Sequence, residues 1–280
     1  MIWISLTLVY GLLKGVREIV KKKSLEKSTV MEVLFFYTLF GFLFLLPSAP
    51  AAGGVSGGEL FWIAVKSFLI FLAWIASFHA IKKIPISLYG ILDLSRVLFA
   101  TLLGVLVLRE TLSPYQVVGI LLVATGLLLL KRKKASASED VKMKYVLCAF
   151  ASCILNAFSG LMDKILTKTV TPVQLQFWYM LFLVLFYGMY LLFSKTKVDW
   201  KNVWKNYWIW ILSILFVVAD RALFLANEMP ESRITVMTLI KQSGCLVTIL
   251  AGKFIFKEQN IRYKLFCAFI IIIGIVIGVL

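Results

Sequence analysis

The sequence predicts an all-α polytopic membrane protein, with ten transmembrane helices arranged as two inverted five-helix repeats. Of its 280 residues, 61% are hydrophobic, whereas ordinary globular domains sit near 45–50% even with glycine counted. The 30 basic and 14 acidic residues lie mostly in short clusters between apolar runs of roughly 20 residues, the length a helix needs to cross a bilayer. The two halves of the chain also resemble each other. Ten helices of roughly 20 residues leave room only for short connections and for no separate soluble domain.

The expected spans are residues 2–20, 31–49, 60–81, 86–108, 114–130, 144–164, 173–193, 206–227, 233–255 and 262–280. Lys21, Lys22 and Lys23 end the first. Pro47, Pro50, Gly53 and Gly54 mark the loop after the second. Lys82, Lys83 and Pro85 close the third, and Ser113-Pro114 opens the fifth, as suits helix stops and first-turn prolines. A basic, Ser-rich linker at 131–143 divides the chain into repeats at 1–130 and 144–280. Pro172 starts the seventh span, and Pro230 lies in the turn before the ninth. The first apolar stretch has no basic leader and no small-residue cleavage site, so it reads as a retained helix.

Basic residues in the connections set orientation. Connections after the odd-numbered spans hold nineteen, Lys21 to Lys27, Lys82, Lys83, Lys131 to Lys134 and Lys201 among them. The even-numbered ones hold four: Arg109, Lys164, Lys168 and Arg233. The positive-inside rule puts the odd connections in the cytoplasm and both termini outside. The expected location is the cell (inner) membrane of a bacterium or archaeon.

Shifted by 148 residues, Arg109-Glu110 falls on Lys257-Glu258, Tyr115 on Tyr263 and Gly126 on Gly274. A shift of 142 aligns Phe36-Tyr37 with Trp178-Tyr179. Five spans is an odd number, so the second copy must lie inverted in the membrane. Inverted repeats place a substrate path at their interface.

Five plus five spans, with the Arg109 to Gly126 segment RETLSPYQxxGxxLxxxG after the fourth, resemble the EamA-type branch of the drug/metabolite transporter superfamily. The resemblance implies a ten-helix carrier with a central cavity lined mainly by helices 1, 3, 4, 6, 8 and 9. Relatives handle amino acids, sugars, nucleotide-sugars, other metabolites and drugs. Many of them keep both termini in the cytoplasm, against the charge bias here. Glu110 and Glu258, at signature positions, are expected to cap neighbouring helices or pin the connections.

Ionisable groups at membrane depth are costly unless paired or facing a polar path, and so mark a site. Asp93 and Arg96 are three apart on one helix face and can pair. Asp220 and Arg221 lie in the eighth span. Lys241, near the middle of the ninth, takes the place of Asp93 under the 148 shift. Lys14 and Lys66 complete the charged set, while Asn156, Gln242 and Tyr89 are polar or aromatic candidates for the lining. Lys66, Arg17 and Glu18 also stand close enough to span ends to reach the interface. His79, near the end of the third span, reads as a polar interface residue rather than a proton relay.

This set holds more bases than acids. It suits an anionic or zwitterionic small organic solute: an amino acid, an organic acid, or a phosphorylated or sugar metabolite. The expected function is secondary active transport by alternating access, with a coupled proton or counter-solute left open. A flippase for a lipid-phosphate or lipid-linked headgroup, or an exporter of amphiphilic drugs, is the alternative. Nothing suggests an enzyme: Cys148, Cys153, Cys245 and Cys267 form no metal spacing, and no phosphate loop is present. No cofactor is expected, and the partners are solute and membrane lipid. The net charge of +16 is a topology signal rather than a nucleic-acid signal. Monomer and homodimer both remain open.

Overall fold

A computed structural model of the chain describes residues 2–108, 113–132, 142–194, 198–229, 237 and 240–277. Arg109 to Thr111 with Glu110, Pro230, Arg233 and most of the 131–143 linker lie outside them, as do the side chains of Lys164 and Asn227. All regular structure among the described residues is helical: α1 (Ile2–Lys27), α2 (Val30–Leu45), α3 (Gly57–Lys83), α4 (Ile86–Asp93), α5 (Arg96–Leu108), α6 (Pro114–Arg132), α7 (Met143–Leu166), α8 (Pro172–Phe193), α9 (Trp200–Lys205), α10 (Tyr207–Glu228), α11 (Ser243–Phe254) and α12 (Ile261–Ile277). A 3-10 turn, Leu46–Ala52, continues α2.

Local sequence explains the helix starts. Thr29 with Glu32, Ser56 with Glu59 and Thr171 with Gln174 form reciprocal capping boxes at α2, α3 and α8, satisfying amide groups that the first turn leaves bare. Pro172 follows its cap at the first helical position, where its missing N–H costs nothing.

Two expected spans are interrupted. The fourth breaks at Leu94–Ser95, where Leu94, Ser95, Val97 and Leu98 donate to carbonyls three residues back at 3.0–3.1 Å, a local 3-10 tightening. The ninth breaks at Gln242. Ile240 and Lys241 are helical, Gln242 is a turn and α11 begins at Ser243. The bond from Cys245 N to Gln242 O, 2.9 Å, stands 148 residues beyond that from Val97 N to Leu94 O, 3.1 Å.

Burial is the reverse of a soluble protein's. Lys14, Arg17, Glu18, Lys21, Lys66 and Asp93 are buried, while Leu121, Leu128, Leu192 and Phe193 are exposed, Phe193 at 84%. Such a surface suits hydrocarbon, and such an interior must be internally paired. Six segments among the described residues are long and apolar enough to cross a membrane: Val30–Ala52, Gly57–Lys83, Ile86–Leu103, Met143–Asp163, Pro172–Phe193 and Tyr207–Ala226. With 26 residues, α1 is long enough, at about 39 Å for a 1.5 Å rise, but it carries Lys14, Arg17 and Glu18 along that length. The 12 residues of α11 are a short apolar helix that begins just after the break.

Helix packing is paired. α1 lies on α10 and α11; α3 lies on α7 and α8; α5 lies on α7; α2 lies on α8 and α10; α4 lies on α11; α6 lies on α12. The α1–α11 contact needs glycine. A Cβ on Gly15 would stand 2.7 Å from Gly244 O, and one on Gly244 would stand 2.7 Å from Gly11 O. The backbones meet where side chains would otherwise hold them apart.

The connections gather at two ends. At one, Asn202 Nδ2 donates to Lys27 O, Lys82 Nζ to Ser28 O at 3.0 Å and Lys22 Nζ to Ile84 O at 2.6 Å. Tyr263 Oη donates to Leu129 O at 2.6 Å. Glu258 joins the same end by accepting from Ile86 N at 2.6 Å and Ser87 N at 3.2 Å. At the other end, Gln174 Nε2 donates to Gly53 O at 2.6 Å and Trp178 Nε1 to Ala52 O at 2.9 Å.

Candidate functional site

The buried charges converge between the helices. Asp93, the last residue of α4, accepts from Lys14 Nζ of α1 at 2.6 Å and from Arg96 Nη2 of α5 at 2.9 Å. The helix break is what separates Asp93 and Arg96 onto two short helices while leaving them three apart and paired. One turn along α1, Arg17 Nη1 reaches Asp220 Oδ1 of α10 at 3.1 Å, with its guanidinium 5.0 Å from the Phe216 ring centroid. Lys21 pairs with Glu18 at 2.8 Å on the same helix. On the other side, Lys66 of α3 lies 3.0 Å from Asp163 Oδ1 of α7.

Tyr179 of α8 joins two of these pairs. Its hydroxyl donates to Asp220 Oδ2 at 2.5 Å, and its ring centroid lies 4.1 Å from Lys66 Nζ. The same side chain thus bonds the acid of one pair and faces the base of the other. Removing one member of such a buried network is costly, because it strands the charge left behind.

Lys241 stands apart. Its Nζ lies 5.9 Å from the Tyr10 ring centroid, and among the described residues no carboxylate oxygen lies within 4.0 Å of it. The same Tyr10 ring lies 5.9 Å from the Arg17 guanidinium, so Lys241 belongs to the same cluster without a carboxylate of its own among the described residues. Gln242 follows it, buried, at the break.

The structure therefore brings together Lys14, Lys66, Asp93, Arg96, Asp220 and Lys241, with Gln242 beside them. The other three expected lining residues make no hydrogen bond to this cluster among the described residues. Arg221 is half-buried, as is Asp220, and lies about 100° round α10 from it, at helical spacing from exposed Val218 and Leu225. Asn156 Nδ2 donates to Ser152 O and Oγ within its own helix, at 2.8 and 3.1 Å. Tyr89 Oη is 2.7 Å from Ser77 Oγ and ties α4 to α3. Exposed His79 has its Nδ1 2.8 Å from Ile75 O on its own helix.

Asp163 and Tyr179 were not singled out from sequence. Asp163 sits beside Lys164 at the end of its span and reads as a boundary charge. The signal available was its position in the second half, which otherwise supplied a single deep acid, Asp220. Tyr179 stood out only as the residue aligned with Tyr37.

Compared with known proteins, the sequence matches the EamA-like transporter family over residues 1–132 and again over 143–280. The chain belongs to the EamA-like transporter family. It is accordingly an integral membrane protein of the drug/metabolite transporter superfamily, whose members are membrane transporters. No curated protein matches its sequence. A solved structure, described as a "Crystal structure of protein", superposes with a TM-score of 0.68 at 14% identity, covering 98% of this chain and 95% of that one. That likeness is one of fold.

In this EamA-like chain, Arg17 and Lys66 belong to the first family match, and their partners Asp220 and Asp163 to the second. The two matched segments are joined inside the protein by ion pairs.

Proposed function

We propose that this protein is a secondary carrier that moves a small anionic or zwitterionic organic solute by alternating access, with ten spans forming two inverted five-helix repeats. The observation that carries this reading is the pair of interior ion pairs, Arg17–Asp220 and Lys66–Asp163, bridging the two family matches at one point. Charges at that depth mark a path or site rather than bulk packing, and a repeat interface is where such a path runs.

The packing supports the repeat. Advancing each expected span by five turns the contact of the first with the eighth (α1–α10) into that of the sixth with the third (α7–α3). It likewise turns the first with the ninth (α1–α11) into the sixth with the fourth (α7–α5). The matched interruptions at Leu94–Ser95 and Gln242 fit the broken helices that inverted-repeat carriers use at the substrate. We further assign the basic end, with Lys22, Lys82 and Lys201, to the cytoplasm, and both termini to the outside, on the charge bias.

Purified protein in lipid vesicles should take up a labelled solute from a panel of organic acids, phosphorylated metabolites and amino acids, with saturation. Lys241→Ala should weaken uptake roughly 10- to 100-fold, the worth of a lost charge-assisted hydrogen bond, while the variant still inserts and purifies. Absence of flux across the whole panel would sink the carrier reading. Normal flux in Lys241→Ala would remove that residue from the site.

A further inference from the structure

The interior charges do not cancel, and what they leave over narrows the solute; this rests on the carrier reading above. Four carboxylates, Glu18, Asp93, Asp163 and Asp220, stand among six cations, Lys14, Arg17, Lys21, Lys66, Arg96 and Lys241. Glu18, Asp163 and Asp220 each hold one cation. Asp93 holds two, and Lys241 has no carboxylate within 4.0 Å among the described residues. Among the described residues two positive charges are therefore uncompensated: one on Lys241 and one in the Lys14–Asp93–Arg96 triad.

Both sit at the matched helix breaks. Asp93 ends α4 just before Leu94–Ser95, Lys241 precedes Gln242, and α4 packs on α11. Within the triad Arg96 is the more open cation, its side chain 27% exposed against 10% for Lys14. Its Nε is buried and makes no hydrogen bond among the described residues, so the guanidinium has a donor to spare. Lys241 likewise has donors to spare, since an ammonium carries three.

We propose that the solute is a dianion, a small dicarboxylate or phosphate monoester, whose negative groups are taken by Lys241 and by Arg96. A zwitterion would bring no net charge and leave both positive charges uncompensated at membrane depth. A monoanion would leave one. Only a doubly negative solute neutralises the pair, and unpaired buried charge is what such an interior least tolerates.

The test is exchange in vesicles loaded with unlabelled solute, at a pH where the dianions are fully ionised. Succinate, butyrate and alanine are compared, with glycerol 3-phosphate as the phosphate arm and a fluorescent lipid phosphate monoester as the headgroup arm. Succinate or glycerol 3-phosphate should exceed butyrate and alanine by about tenfold or more, the effect of one further ionic contact. The same dianions, and not butyrate, should raise the unfolding temperature of the detergent-purified protein. Lys241→Ala should lose the preference for dianions, and Lys241→Arg should retain much of it.

Butyrate or alanine transported as fast as succinate and glycerol 3-phosphate would overturn the dianion assignment while leaving the carrier standing. Translocation of the lipid alone would overturn the assignment to a soluble solute. A preference for dianions that persists in Lys241→Ala would overturn the part given to Lys241. A protein that moved none of these, nor any member of the wider panel, would overturn both readings.

Discussion

Asp93 is held by two cations, Lys14 at 2.6 Å and Arg96 at 2.9 Å. Replacing it with Asn strands two buried cations, which should cost about 3–5 kcal/mol, the usual loss when one member of a buried pair is removed. Thermal unfolding in detergent should show this as a lowered midpoint, partly restored when Lys14→Met is added. An unshifted midpoint in Asp93→Asn would mean the triad contributes little. Tyr179 separates its two contacts cleanly. Tyr179→Phe keeps the ring against Lys66 and gives up only the hydroxyl bond to Asp220, worth about 1–3 kcal/mol. Tyr179→Leu should lose more, and equal losses would deny the cation–π contact. At this scale the sequence made the deep charges legible because such residues are rare in apolar runs. It did not show which way they face. Arg17 and Glu18 stood near enough to a span end to read as interfacial, yet both are buried.

The elements were legible wherever chemistry marks an end, as Thr29, Ser56 and Thr171 do at their capping boxes. The breaks in the fourth and ninth spans were not. Neither Leu94–Ser95 nor Gln242 is a proline or glycine, so no helix breaker stands at either interruption, although the polar runs Asp93–Arg96 and Lys241–Ser243 fall there. Close packing explains one neighbourhood: a Cβ on Gly90 of α4 would collide with Thr248 Oγ1 of α11. At the α1–α11 contact, Gly15→Val should lower the unfolding midpoint by an amount equivalent to about 1–3 kcal/mol, as overpacking does; an unchanged midpoint would mean the helices can part freely. The start of α4 has its own dependence. Pro85 supplies no side-chain cap, and Glu258 caps the helix from beyond α11, after left-handed backbone at Lys257, φ 52°. The signature position thus caps a neighbouring helix, as expected from sequence.

For the whole molecule, the class was readable because composition and charge placement are global properties. The gathering of connections at two ends follows the alternation of the spans. The orientation of those ends makes a direct prediction. A reporter fused to either terminus should be reached by impermeant reagents from outside intact cells, and labelling only after permeabilisation would reverse it. The interior pairs carry one more consequence. Arg17 and Lys66 both lie before the 133–141 stretch, and Asp163 and Asp220 both lie after it. At these two pairs the first fragment of a chain cut there would bring the cations and the second the carboxylates. Two copies of the first would set arginine and lysine against each other, and two copies of the second would set aspartate against aspartate. Like charges facing each other at depth are a strong bar to association. Fragments expressed together should therefore copurify as unlike partners in preference to like ones, which differential tags would measure. The protein carries in four side chains a rule for which piece may dock on which.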